Sequence, residues 1–555
     1  MEYKDKPTLY PLSRWRSTAR YKRRASLKFF FYLCVCLGCI LTLRSFMQPR
    51  AVGEKMLFDQ SKNRISLPQL KQSLRTTMPS HFRRRNKNML FISSSIEIAD
   101  ELGNLACELA SMRQASAHFL LVGPSETTLE FFQAVNKFDT QSCGDFFMHD
   151  GRMSNAAWAA APNIEQAAYA AIGDAVLHLA PQAVVYLHEE PLWFCTAVQH
   201  ETKVRGITNI VLPRYGLPSL QWMSRLDAAS LQAWNTPQID IMVLGDKHSG
   251  SLKRLLESIQ NADYFGSNHP RVILDLDPTI DSFTMEFVRN WRWHSQTILR
   301  HRIDDKVDSE TKVVESWYPG TDSDSFLLML DCSAELSPFY YHWLKYSLLH
   351  YAYSGIHYRD PSLMGISLDA PFLHINQSAA RQLTEKNPIV LQMPSTRSVL
   401  YFPHHWREIH DFVAHRIRQK NGFSMRDLPL DPSLPLTWLG YVIELVRIRA
   451  YVILYPTFDS SFSTLHNEHK SNRSAAGEEQ TIMDRNTMLS ELPELQLPQY
   501  TDLIPHNIRG EPTSWEAIIQ DAQQYHEFMS SCTSADPQRS QKMWQVDDIF
   551  CDPVP

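Results

Sequence analysis

Several features that would settle a function quickly are missing from this 555-residue sequence. No Gly-rich turn of the dinucleotide-binding type follows its strand-like apolar runs, so a nicotinamide or flavin dinucleotide is not expected. Cys332 has no second cysteine at metal-ligand spacing, which argues against a thiolate metal site. No internal repeat divides the chain. Positive charge is also scarce where nucleic acid would need it. The net charge is −5, but residues 1–28 carry nine Lys/Arg against two acids and residues 44–88 carry eleven against two, which leaves −21 on residues 89–555. A body that acidic is a poor partner for a phosphate backbone, and no nucleic-acid partner is expected.

Long apolar runs are few. Phe29 to Leu43 is fifteen residues without a charge, flanked by Lys28 and Arg44. A spanning helix usually needs ~20 apolar residues, although snorkelling of the flanking cations extends a short span. The rival readings are a cleaved signal peptide and a buried helix. No small-x-small cleavage pattern follows, and seven Lys/Arg in residues 14–28 against three in 44–58 favour a cytosolic N-terminus. The expectation is a cytosolic basic tail (1–28), a transmembrane signal-anchor (29–43) and a stem (44–88). The whole would be a single-pass type II membrane protein of the Golgi or ER with a luminal body. A second apolar stretch, 438–456, is interrupted by Glu444, Arg447 and Arg449. That argues for a buried helix and strand and against a second span. Outside the anchor lie Cys107, Cys143, Cys195, Cys332, Cys532 and Cys551, whose pairing sequence cannot give. Asn376 and Asn472 stand in N-x-S acceptor sites.

What is present from Met89 onward is alternation of strand and helix. MLFISSS, HFLLVG, QAVVYLHE and ITNIVLP read as strands separated by helical runs, which implies a parallel, Rossmann-like α/β domain over 89–235. A second domain, 236–469, opens with IDIMVLG and a polar turn, then a helix with apolar residues at 252, 255, 256 and 259. RVILDLDPTID closes its next strand on Asp277 and Asp281; an acidic strand-end loop is the plain alternative there. In ILRHRIDD, Arg300 and Arg302 fall on one face of an extended segment, with His301 on the other. Two guanidiniums on one face suit a diphosphate. A surface pair bonded to nearby acids suits the pattern equally. The stretch WYPGTDSDSFLLMLDCSAELSPFYYHWLK is the centre of this domain. Phe326 to Leu330 is a buried-strand run that stops at Asp331, with Glu335 four residues on, before Ser337-Pro338 opens an aromatic helix. Ligands bind at the carboxyl ends of strands in open α/β sheets, so Asp331 faces the site. Asp322 and Asp324 form a D-x-D, but they precede the strand and belong to a loop. Farther on, Glu408 and Asp411 share a helix face, where they serve as a base or a cap. Residues 470–555 read as a polar insertion and a C-terminal extension.

Four of these stretches, the acidic turn at 331–335 with its Ser-Pro-aromatic helix, RHR before ESWYP, YFPHHWREIHD, and FSTLHNEH, resemble a fungal group of membrane-anchored proteins similar to glycosyltransferase family 2. The resemblance implies a GT-A-like domain with a mixed sheet that transfers a sugar from a nucleotide donor to a glycan or glycoconjugate acceptor. It further implies roles: Asp277 and Asp281 cradle the nucleoside, and Arg300 and Arg302 meet the diphosphate. Asp331, with Glu335 and His466, holds Mn²⁺ or Mg²⁺, while Asp411 or Glu408 takes the acceptor proton. One departure stands out. The group's strand usually ends Glu-Asp-Asp, and here the matching residues are Asp331, Cys332 and Ser333. Hard cations want oxygen ligands, so the loss of two acids implies weak or dispensable metal. It also opens a second reading, a catalytically inactive relative that binds or scaffolds.

Overall fold

The computed structural model describes residues 67–77, 86–125, 127–154, 157–158, 164–245, 249–303, 308–320, 323–355, 360–371, 387–395, 397–419, 438–465, 482–492, 494, 496–530, 546 and 549–550. Contacts divide the chain at Ile65/Ser66, and the described elements all belong to the unit from Ser66 onward.

Five apolar runs form an all-parallel first sheet. They are β1 (Asn88–Ser93), β2 (Ser116–Ser125), β3 (Phe146–Ser154), β4 (Ala183–Leu187) and β5 (Thr208–Leu212), in the order β3-β2-β1-β4-β5. Near-continuous burial along β1, β2 and β4 is what a parallel sheet covered on both faces requires. The connections are helical: α1 (Pro68–Arg75) precedes β1, and α2 (Ile96–Ser111), α3 (Leu129–Asn136), α4 (Ile164–Leu179) and α5 (Leu192–Arg205) follow in turn. Ser95 caps α2 by accepting a bond from the Glu97 amide at 3.2 Å. Gly103 on α2 lets Phe138 approach so closely that a Cβ there would stand 2.6 Å from its ring. Of the cysteines left open by sequence, Cys107 on α2 is disulfide-bonded to Cys143. Closing that 36-residue separation stabilises the domain by about 4 kcal/mol in the chain-entropy view.

The second sheet has nine strands: β6 (Gln238–Gly245), β7 (Arg271–Leu276), β8 (Thr297–His301), β9 (Ser325–Asp331), β11 (Leu363–Ser367), β12 (Ile389–Leu391), β13 (Ser398–Tyr401), β14 (Val452–Tyr455) and β16 (Pro505–His506). Their order is β16-β12-β14-β11-β13-β9-β6-β7-β8, and a separate antiparallel pair joins β10 (Ala334–Leu336) to β15 (Ser463–Leu465). Strands β6 to β9 run parallel, β13 runs against its neighbours β9 and β11, and β11 pairs in parallel with β14. The sheet is therefore mixed. Its helices include α6 (Ser249–Gln260), α7 (Ser282–Asn290), α8 (Ser309–Ser316), α9 (Tyr340–Ala352), α10 (Pro403–Gln419), α11 (Trp438–Arg449) and α12 (Trp515–Met529).

Helix α9 joins the two sheets. Every residue from Tyr340 to Tyr351 is buried, the pattern of a helix enclosed on all sides. His342 accepts the indole N–H of Trp222 on Nδ1 at 3.1 Å, so the ring is neutral with its proton on Nε2, which lies 3.2 Å from Asp263 Oδ2. Trp222 in turn stacks on Trp234, with centroids 5.7 Å apart. One apolar cluster runs from Met89 and Phe91 through Trp222 and Trp234 to Phe326 and Leu454.

Two expectations change here, and a third holds. The anchor at 29–43 lies outside the described residues, and among the described residues no helix is long and apolar enough to cross a membrane. Fifteen residues at 1.5 Å rise cover roughly 22 Å of a ~30 Å hydrocarbon core. The membrane-anchored fold class, the type II topology and the Golgi or ER placement are therefore not supported. The expected stem is not all linker either, because α1 lies within it and packs Leu70 and Leu74 into the core. The stretch 438–456 does form a buried helix and strand, α11 and β14. Its charges are used internally: Glu444 pairs with Arg416 at 3.2 Å, Arg447 with Asp521 at 2.8 Å and Arg449 with Glu408 at 2.7 Å.

The attachment of α1 generates a pH prediction. His118 Nδ1 lies 3.1 Å from His149 Nε2, and His149 Nδ1 lies 3.2 Å from the Ser73 hydroxyl of α1. Burial, reinforced by the neighbouring histidines, lowers His118 from 6.5 to about 3 and His149 to about 4. Below pH 6.5 the unfolded chain takes up protons that the folded one refuses until those lower values. Stability from this pair is thus present above pH 6.5 and lost as pH falls toward 4 and 3. Urea unfolding followed by fluorescence should show the midpoint falling across that window. In His118→Asn/His149→Asn the slope should be shallower by close to two protons.

Candidate functional site

The first sheet reverses its winding between β1 and β4, the second between β6 and β9. In such sheets the crevice at the carboxyl ends, where the order reverses, is the place for a ligand. The two crevices differ. In the first, the Glu190 carboxylate accepts from the Ser93 hydroxyl at 2.8 Å, the Ser94 hydroxyl at 2.5 Å and the Ser94 amide at 3.1 Å. Burial pushes the Glu190 carboxyl up, and the serine bonds oppose that. The chain's own carboxylate thus occupies the donors that an incoming anion would use. That edge is filled.

The second crevice is built from strand ends in register. Leu244 pairs with Asp331, Gly245 with Leu276, and Leu276 with His301, so the carboxyl ends of β9, β6, β7 and β8 stand level. Asp277 follows β7, Arg302 follows β8, and α6 starts four residues beyond β6. Asp331 closes β9. Its amide donates to the Arg397 carbonyl at 2.8 Å, and its Oδ1 accepts from the Ser333 amide at 2.8 Å and from the Ser333 hydroxyl. Burial alternates along this turn: Asp331, Ser333 and Glu335 are half-buried, whereas Cys332, Ala334 and Leu336 are buried.

Asp277 accepts from the Thr279 amide at 2.9 Å and hydroxyl at 2.5 Å, and from Lys312 at 3.3 Å. Burial alone would raise its carboxyl. The bonds from Thr279 and Lys312 outweigh that and hold it below the ordinary value, so Asp277 is an anion near neutral pH. Asp281 instead caps α7, accepting from the Thr284 amide at 2.9 Å and hydroxyl at 2.7 Å. A side chain committed to a helix cap is not placed to cradle a nucleoside.

The arginines lie on one face, as the alternation requires, but Arg302 is bonded inside the protein through all three of its nitrogens, and the exposed Arg300 is anchored through Nη1. Arg302 makes a two-point pair with Asp275 at 2.6 and 2.7 Å and a third bond to Glu315 at 2.9 Å. Arg300 donates to the Ser316 carbonyl and to the Glu315 carbonyl at 3.2 Å, tying down the end of α8. The expected diphosphate role is corrected on this ground: both guanidiniums already have acceptors. The cation at this rim that the sequence did not single out is Lys312, a quarter exposed beside Asp277.

Glu408 and Asp411 do not join the site. β13 runs against β9, with Ser398 level with Leu330 and Tyr401 with Leu327, so α10 starts from the opposite end of the sheet. Glu408 is fully buried, 2.7 Å from Arg449 and 2.5 Å from the Tyr451 hydroxyl. Asp411 is half exposed and accepts from His410 at 3.0 Å. Neither stands where a base at the Asp331 edge would. His466 lies outside the described residues, as do Asn376, Asn472 and Asp322. Asp324 accepts from the Tyr353 hydroxyl at 2.7 Å, in agreement with a loop role. Among the described residues no group of three His, Cys, Asp or Glu is placed to hold a metal. Asp331 alone does not supply a Mn²⁺ or Mg²⁺ site.

One acid escaped the sequence reading. Asp369 follows β11 and is buried, bonded by the Ser395 and Ser398 hydroxyls. Burial raises its carboxyl, and those serine bonds oppose the shift. Its signal was the same as that of Asp331, an apolar strand ending in an acid. By holding Ser395 and Ser398 it shapes the turn whose Arg397 carbonyl receives the Asp331 amide.

Fold and site together define a two-sheet α/β protein in which, among the described residues, the acids Asp277 and Asp331 stand at level strand ends of the second, mixed sheet. Residues 72–234 match the family model described as "SPBC1E8.03c N-terminal domain", and residues 247–422 match "SPBC1E8.03c C-terminal domain". The chain is 23% identical over 382 residues to "Uncharacterized protein SPBC1E8.03c" of Schizosaccharomyces pombe, covering 65% of this chain and 65%, just under two thirds, of that protein. A putative UDP-N-acetylglucosamine 2-epimerase from Listeria monocytogenes aligns structurally at 8% identity and a TM-score of 0.19, covering 44% of this chain and 74% of that one; so low a score carries no argument. None of the matched family descriptions names a glycosyltransferase, so the expected transferase class finds no support among them.

The arginine assignment yields a prediction. Removing one partner of a buried, hydrogen-bonded pair leaves an uncompensated charge and costs about 3–5 kcal/mol. Arg302→Ala should therefore lower the unfolding free energy by about that much in urea denaturation. A fully stable Arg302→Ala that has lost nucleotide binding would restore the ligand role.

Proposed function

We propose that the second sheet binds a nucleoside diphosphate, of the kind carried by nucleotide sugars, at the carboxyl ends of β6, β7 and β9, and that the protein uses this for recognition and not for metal-assisted sugar transfer. The observation that carries the reading is the level row of strand ends that brings the anionic Asp277 and the half-buried Asp331 together, with Lys312 bonded to Asp277. A carboxylate at a strand end in this position suits the paired hydroxyls of a ribose. The lysine supplies a point charge for phosphate, and α6 begins just past β6, where helix amides attract anions. The withdrawal of Arg300 and Arg302 into internal bonds and the Cys332-Ser333 pair in place of acids support recognition over turnover. The resemblance to family 2 proteins points to the same ligand class.

Calorimetry on the full chain with UDP and GDP tests this. One of the two should bind, with affinity changed less than about threefold by Mn²⁺, and Asp277→Asn should weaken it by roughly tenfold, or about 1.4 kcal/mol. Failure of both nucleotides would remove the reading. Metal-stimulated transfer from a nucleotide sugar would replace it with an active transferase.

A further inference from the structure

A second cleft lies at the other edge of the second sheet, where β11 and β14 begin. It has a volume of about 720 Å³ and is bounded by the end of α11, the turn at Tyr500–Asp502 and α12. Tyr500 and Trp515 form an aromatic wall, with ring centroids 5.2 Å apart and planes tilted by 39°. The wall is held in place. The Tyr500 hydroxyl lies 2.7 Å from the Ser362 hydroxyl, and Ser362 donates its amide to Asp360 at 2.8 Å. Trp515 is half-buried, while Gln523 and Glu527 project from exposed positions of α12. Arg449 also lines the cleft, but its charge is matched by the buried Glu408 at 2.7 Å.

The charge pattern decides among ligands. Asp360 and Glu527 are acids, the one lining arginine is already paired, and His526 is the remaining lining group able to carry positive charge, so the acids outnumber the cations offered to a phosphate or carboxylate. A ligand here must offer an apolar face to stack on Trp515 and Tyr500 and hydroxyl donors for carboxylate and amide acceptors. A pyranose does both. The volume lies in the ordinary range for small-ligand sites, roughly 300–1,000 Å³. We propose that this cleft binds one or two residues of a neutral glycan, at the edge of the sheet opposite to the nucleotide crevice. It stands on its own residues and does not depend on the nucleotide reading. Stacking supplies the affinity, and Asp360, Glu527 and Gln523 select hydroxyl orientation.

The test is tryptophan fluorescence and calorimetry on the full chain with a panel of neutral methyl glycosides and short neutral oligosaccharides, choline and spermidine serving as cationic controls. At least one neutral sugar should saturate the site, and Trp515→Ala and Asp360→Asn should each weaken it by roughly tenfold or more. Asp277→Asn should leave sugar binding unchanged, which separates this cleft from the nucleotide crevice. Should Trp515→Ala fail to fold, Gln523→Ala and Glu527→Gln, both at exposed positions, give the same reading with folding checked by circular dichroism. The proposal is overturned if no neutral sugar saturates, if only the cations bind, or if sugar binding survives these substitutions unchanged.

Discussion

The arrangement depends on the complete burial of α9 between the two sheets. Aromatic side chains pack around it, and the neutral His342 is one of the polar links through that core, accepting from Trp222 of the first half and facing Asp263 of the second. A buried polar group of this kind is costly unless each of its atoms is bonded. Here both ring nitrogens have partners. The link therefore fixes one relative setting of the two sheets where apolar contact alone would allow several. Asp331 is separated from this helix only by a turn and the short strand β10, so its position is tied to the same packing.

The two sheets share one winding logic and use it differently. Each reverses at its centre and so has a crevice at the carboxyl edge. In the first, Glu190 occupies the donors of Ser93 and Ser94, and a filled site serves structure. In the second, Asp277 is kept ionised and Asp331 is half-buried. The amino edge of the second sheet is a separate surface. There Glu408, Arg449 and Tyr451 form a closed polar floor beneath the aromatic cleft. Carboxylates on the two edges have different surroundings and cannot act on one reacting atom.

Much of this was legible in the sequence because it follows from local physics. Apolar runs of strand length, the acids that end them, the Ser-Pro start of α9 and the charge-interrupted helix at 438–449 are set by period and turn chemistry over a few residues. The alternation that placed Arg300 and Arg302 on one face was also right. What sequence could not supply was the acceptor on the other side of each donor. Asp275 is 27 residues from Arg302, Arg449 is 41 from Glu408, and Cys143 is 36 from Cys107. A guanidinium waiting for a diphosphate and one already paired with an aspartate have the same local pattern. Likewise, α1 reads as polar linker until Ser73 meets His149, 76 residues away.

The α/β alternation, the positions of the strand-end acids and the Cys332-Ser333 pair after Asp331 were therefore set by the sequence alone. Those are properties of consecutive residues. Only the tertiary structure decided that Arg300, Arg302 and Asp281 are structural and that Glu408 and Asp411 belong to the far edge. It also decided that Glu190 fills the first crevice while Lys312 and Asp369 border or brace the second. Each of these depends on which strands become neighbours and which way they run, and that is fixed by packing α9 and the sheets together.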